Sequence, residues 1–200
     1  MRTAHVQVFQ YDELSDAAKA KARDWWRGLD RDHSEWSEHV TEDLKTIAAF
    51  MGWTVSDTQF RGFSSQGDGA QFSGTWSAAN VQTREALEEH APADASDSNA
   101  RLARMMLTFA ELAAQSPPGA TASVRHEGAI YVHEHMTRFE SDNMSDEQLA
   151  KLTEVSRELM RWYYRALERE HDYYTSDEQV AEAICANEYE FKADGSRFAH

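Results

Sequence analysis

Between Ser145 and Leu167 the chain can be little other than a long amphipathic helix. Ser145 and Gln148 stand at capping-box spacing. Leu149, Leu152, Val155, Leu159, Trp162, Ala166 and Leu167 recur at helical intervals on one face. A stripe of that length has to be covered, so the remaining sequence must supply an apolar surface to lay it on.

Two further stretches qualify as helices for the same reason. One carries Trp36, Val40, Leu44, Ile47, Ala48 and Met51 on one side, opened by an Asp32–Glu35 cap. Another carries Leu102, Met105, Met106, Phe109 and Leu112 and stops at Ser116-Pro117-Pro118-Gly119. Near the N-terminus, Ser15 caps a helix reaching about Arg27, with Ala18, Ala22 and Trp25 on a narrow face. Ser-Asp-Glu-Gln recurs at 176–179 and opens a last helix ending near Cys185 to Asn187. A short helix over 79–90 is also expected.

Strand signals lie between these. Residues 5–10 alternate, Trp53 to Phe60 reads as extended, and 60–76 reads as a hairpin turning at Gly67-Asp68-Gly69. Residues 122–140 alternate throughout, giving a long central strand or a bent pair. Glu188 to Phe198, with Asp194-Gly195 at its tip, reads as a short strand or hairpin. The expected fold is α+β, one domain over 1–200, with helices on a mostly antiparallel sheet and an acidic helical segment at 142–187.

Charge narrows the function classes. The chain has 35 acidic residues against 20 Lys and Arg, net −15, and residues 140–190 hold 14 acidic and five basic groups. Such a surface repels phosphate backbones and anionic membranes, so neither direct nucleic-acid binding nor membrane association is expected. It attracts basic protein surfaces. The aromatic share of 11% is too high for an acidic disordered chain. No apolar run is long enough to span a membrane and residues 1–10 lack a signal-peptide pattern, so a cytoplasmic protein is expected. One cysteine, Cys185, excludes an internal disulfide and a thiolate zinc site, and it reads as core or interface packing.

Catalytic motifs are sparse. Gly67-Asp68-Gly69 lacks the following helix that a phosphate loop needs, and there is no Gly-x-Ser-x-Gly elbow. His133 and His135, two residues apart in an extended stretch, point the same way and can share a metal ion. Asp68 can add a carboxylate if the hairpin lies beside them. The ordinary alternative is a pair of polar histidines on a half-exposed sheet face. Around the C-terminal helices, Glu154, Glu158, Glu168, Glu170, Asp172, Asp177, Glu178 and Glu182 form the acidic candidate surface, with Tyr173 and Tyr174 as aromatic anchors.

Three segments carry a family likeness. They are Val8-Phe9-Gln10-Tyr11-Asp12-Glu13-Leu14-Ser15 with the helix running on to Trp25-Trp26, Gly62-Phe63-Ser64-Ser65-Gln66-Gly67-Asp68-Gly69-Ala70-Gln71-Phe72, and Ala186-Asn187-Glu188-Tyr189-Glu190-Phe191. Together they resemble small proteins common in phages and prophages, loosely labelled antitoxins of toxin–antitoxin stability systems. The resemblance implies a mobile-element origin and no catalytic residues. The resulting expectation is a non-enzymatic acidic protein without a cofactor. It would inhibit a host nucleic-acid-handling or defence complex, of CRISPR or restriction type, by presenting carboxylates to a basic groove as a DNA mimic. A homo-oligomer is compatible with the helix stripe. The alternatives are an antitoxin against a small basic toxin, and a metal-dependent enzyme using His133 and His135.

Overall fold

The computed structural model describes residues 6–29, 35–90, 97–128 and 131–198. His5 and the Asp32 cap lie outside them. The fold is α+β, with six α-helices and a four-stranded antiparallel sheet among the described residues. It divides into two compact units, Met1–Trp36 with Arg169–His200, and Ser37–Glu168.

The first unit is built around α1 (Asp16–Arg27) and α6 (Asp177–Ala186). Ser15 and Ser176 accept from the backbone N–H groups of Ala18 and Gln179, so each helix begins with one orphan donor satisfied by its cap. Ala18 and Ala22 are buried beside Val180, Ile184, Trp26 and Phe191. Small side chains on α1 let α6 come close, and Trp26 rather than Trp25 is the fully buried indole. Trp25 sits edge-on to Tyr189 and Phe191 at the margin. The two chain ends meet here as single bridges, Phe9 with Phe191 and Phe191 with Arg197, a minimal version of the terminal strands expected from alternation. Gly195 turns the last hairpin at φ +80°, and a Cβ there would lie 2.2 Å from the Ala18 carbonyl oxygen. Glycine is therefore required both by the turn and by the approach to α1.

The second unit contains the sheet, β1 (Met51–Arg61), β2 (Gly69–Val81), β3 (Thr121–His126) and β4 (Thr137–Glu140), in that order. The expected hairpin is present and longer than its turn signals implied. β2 runs on to Val81, so the helix expected over 79–90 is confined to α3 (Arg84–His90). One sheet face is apolar, with Trp53, Phe72, Trp76 and Val124 buried. Burial of a side chain of this size contributes about 1.5–3 kcal/mol. Trp76 Nε1 donates to the Met51 carbonyl at 2.8 Å, so its one polar atom is satisfied inside the core. The opposite face carries Asp57, Gln59, Arg61, Thr75, Arg125 and Arg138, all exposed.

α2 (Glu35–Phe50), α4 (Asp97–Gln115) and α5 (Asp146–Tyr174) bury the stripes read from sequence, and α4 packs on β1 and β2. On α5 the buried line is Leu152, Val155, Leu159, Met160, Tyr163 and Leu167, leaving Trp162 half-buried. Tyr163 takes the central place because Thr41 on α2 gives its hydroxyl a partner at 2.8 Å. No helix among the described residues is long and apolar enough to cross a membrane.

The alternating stretch 122–140 is a bent pair and not one strand. β3 ends at His126, β4 starts at Thr137, and a 3-10 turn over Glu134–Met136 lies between them. Gly128, at φ +150°, belongs to the connection.

Candidate functional site

Residues 131–136, which lead into β4, stay against the sheet. Gly69 at the start of β2 has the Val132 carbonyl oxygen 2.5 Å, and His133 Cα 3.1 Å, from where a Cβ would stand. Gly67 in the hairpin turn similarly meets the Tyr131 ring at 2.3 Å. The two glycines of the Gly-Asp-Gly turn thus let residues 131–136 lie against the hairpin, and that turn packs on β2. A side chain at either position would push the loop away.

This packing assembles His133, Glu134 and His135. One ligand atom from each lies within 4.8 Å of the others. The two imidazoles are stacked, 5.0 Å between centroids and 15° between planes. Glu134 is only 6% exposed and is held from three sides. Its Oε2 lies 2.9 Å from His133 Nδ1, and its Oε1 lies 3.2 Å from Arg161 Nη1 and 3.6 Å from His135 Nε2. Burial of a carboxylate requires such partners, since desolvation otherwise costs several kcal/mol. Alternation along a strand places Glu134 opposite the histidines; the 3-10 turn brings it between them instead. Glu134 is the residue that sequence reasoning missed, and no periodicity signal pointed to it.

Asp68 is close in the chain to this cluster's neighbours but is not a member of it. Its Oδ2 accepts from the N–H groups of Ser64 and Ser65 at 3.0 and 2.6 Å, closing the hairpin turn. The hairpin does lie beside the histidine loop, as required, while the Asp68 carboxylate is spent on its own backbone.

Gln71 lies two residues beyond Gly69 and therefore on the same face of β2. Ser73 on that face is half-exposed and its cross-strand partner Gln59 is exposed, yet Gln71 is 0% exposed. Neither Oε1 nor Nε2 has a hydrogen-bond partner. An unsatisfied buried polar group costs about 1–3 kcal/mol, so the position calls for a reason beyond packing. A cleft of about 420 Å³ opens beside the cluster, lined by Gln66, Gly67, Tyr131, His133, His135 and Met136.

The acidic candidates separate into different roles. Glu154, Glu158 and Glu168 belong to the second unit, and the remainder to the first. Asp177 pairs with Arg27 at 2.6 Å and Arg23 at 2.8 Å, and these arginines, Arg27 foremost, hold its carboxyl below the usual carboxylate range. It is a structural ion-pair partner of α1. Tyr174 is half-buried against Trp26, with ring centroids 5.4 Å apart, and so anchors the core. Tyr173 is 58% exposed, with Asp172, Glu178 and Glu182 exposed in the same unit and Glu170 half-exposed. Along α5 the arginines Arg157 and Arg161 turn toward the sheet side, donating to the Thr137 carbonyl and Glu134 respectively. Cys185 is exposed on α6 instead of buried, and partial desolvation pushes its thiol up.

Residues 36–177 match the family model described as a domain of unknown function, DUF8835, and the chain belongs to that family. No curated protein and no solved structure matches it.

Proposed function

Because the family carries no assigned activity, we propose a function from the chain's own surface: a non-enzymatic binding protein that docks a basic surface of another protein. The observation that carries this reading is Tyr173, a large aromatic 58% exposed, in a unit that also exposes Asp172, Glu178 and Glu182. Exposed aromatics are favoured as interface anchors, because a rigid ring gains contact area at small entropic cost. Carboxylates around such an anchor speed encounter with a cationic partner and set its orientation. Asp177 and Tyr174 fall out of the docking set, since the fold already uses them.

The partner class rests on the family likeness to phage proteins: a host nucleic-acid-handling or defence complex whose groove is built for phosphates. Carboxylates spaced along a helix replace those phosphates without a nucleic acid being bound. The test is capture of the tagged protein's partners from a bacterial lysate at low and high salt. A stoichiometric nucleoprotein or nuclease partner, lost at high salt, is expected. The variant Tyr173→Ala with Glu178→Lys and Glu182→Lys is expected to release it. A single small basic toxin would move the assignment to antitoxin, and retention unaffected by the triple variant would overturn docking through this surface.

A further inference from the structure

His133 Nδ1 faces two groups with opposite demands. It lies 2.9 Å from the Glu134 Oε2 carboxylate oxygen and 3.3 Å from the His135 backbone N–H, which donates to it. A ring nitrogen that accepts from the N–H presents its lone pair, and that lone pair then confronts an anion. The two stay at 2.9 Å only with a cation between them, either a proton or a metal ion. Either cation takes up the Nδ1 lone pair and so displaces the His135 N–H; a metal ion in addition engages the imidazole and the carboxylate as ligands of one centre.

We propose that His133, Glu134 and His135 bind a divalent first-row transition ion of the zinc class, at the edge of the cleft beside Tyr131. Two imidazoles and one carboxylate are a donor set that such ions favour, and zinc sites with three protein ligands keep a further position open. Here that position faces the cleft of about 420 Å³, which leaves room for water or a small oxygen-donor ligand. Bonds of about 2.0–2.2 Å at tetrahedral angles set two donors about 3.3–3.6 Å apart. The present spread of up to 4.8 Å therefore closes with a shift of about 1.2–1.5 Å between the farthest donors. Both rings have the freedom to make it, with His133 and His135 side chains 36% and 64% exposed.

Arg161 contacts Oε1 of Glu134, leaving Oε2 for the ion, the usual division between an orienting partner and a bound oxygen. The second, independent observation is Gln71. Its amide is completely buried and unpartnered, two residues along β2 from the Gly69 that the loop lies against, and it offers a donor and an acceptor on the same strand face. A polar group kept there at a cost in stability is accounted for by the hydration of an ion bound at that loop. The site shares no residue with the Tyr173 surface and does not depend on the docking reading.

The full chain, stripped with a chelator, should be titrated with Zn²⁺ by calorimetry and with Co²⁺ by visible absorption. One ion per chain is expected, with Co²⁺ bands of nitrogen and oxygen ligation and no thiolate charge transfer. His133→Ala and His135→Ala should each lower affinity at least 100-fold, more than the about 10–100-fold typical of an orienting partner. Gln71→Leu should fall within that smaller range, and His39→Ala should change nothing. Circular dichroism of each variant separates loss of binding from loss of fold. Absence of binding, or binding that survives His133→Ala and His135→Ala, would mean that a proton is the only cation there and would overturn the site. Unchanged affinity in Gln71→Leu would remove the amide from it.

Discussion

At the scale of single residues, Tyr163 and Gln71 place polar atoms inside the core with opposite consequences. Tyr163 is fully buried, and burial raises its hydroxyl above the ordinary tyrosine range, but Thr41 Oγ1 lies 2.8 Å away and itself donates to the Ser37 carbonyl. Tyr163→Phe removes one hydroxyl while the Thr41 hydroxyl keeps its other partner. The expected loss is about 1 kcal/mol in urea unfolding. Tyr163→Ala instead opens a cavity at the centre of α5 and should cost about 3–5 kcal/mol. Gln71 is the reverse case. Replacing its unpartnered amide by leucine removes a desolvation cost and keeps the volume, so metal-free Gln71→Leu should unfold at the same or higher urea concentration than the parent. A clear loss of stability there would mean that the amide is satisfied in solution.

At the scale of elements, helices were legible because their stripes are decided locally. Leu149 to Leu167 and Leu102 to Leu112 occur at helical spacing, and no distant contact is needed to see it. Caps at Ser15 and Ser176 were equally local, and each serine to alanine change should cost about 1 kcal/mol. The strand signals failed where a turn interrupted them. Alternation from 122 to 140 continues through residues that form no ladder, because period-two patterning does not distinguish a strand from an extended loop laid over a sheet. That failure hid Glu134, while the histidine pair was found on a geometry it does not have. What decides the loop's course is long-range: Gly67 and Gly69 admit the Tyr131 ring and the Val132 carbonyl at distances no Cβ allows. Gly69→Ala should therefore displace the 131–136 turn and weaken Zn²⁺ binding although every ligand is retained. Comparing its Zn²⁺ titration with that of the parent checks this, and intact binding would mean the loop reaches its place without the glycine.

At the scale of the whole molecule, acid stability follows from how the first unit is tied together. Asp177 joins α6 to α1 through Arg27 and Arg23, and Asp194 joins the terminal hairpin to α1 through Lys21 at 2.7 Å. Both carboxyls are held below their ordinary value of 3.8, Asp177 chiefly by its bond from Arg27 and Asp194 by those from Lys21 and Ser196. A carboxylate more acidic in the folded chain than in the unfolded one stabilises the fold at pH values above the unfolded value. That contribution is lost as pH falls through the folded value. With both shifts downward, the loss begins near pH 4 and continues below it, while pH 5 to 7 leaves these pairs unchanged. Both carboxylates are open to solvent, so added salt should shrink the effect. Protonation of other carboxylates also relieves the repulsion of a chain at net −15, and this acts in the opposite sense. The double variant Asp177→Asn with Asp194→Asn separates the two. Its thermal midpoint at pH 7 should be lower than the parent's, and the gap should narrow as pH drops from 4 toward 2. A gap that stays constant across that range would mean the ion pairs contribute nothing that depends on their charge, and that α1, α6 and the hairpin are held by Ala18, Ala22, Ile184 and Phe191 alone.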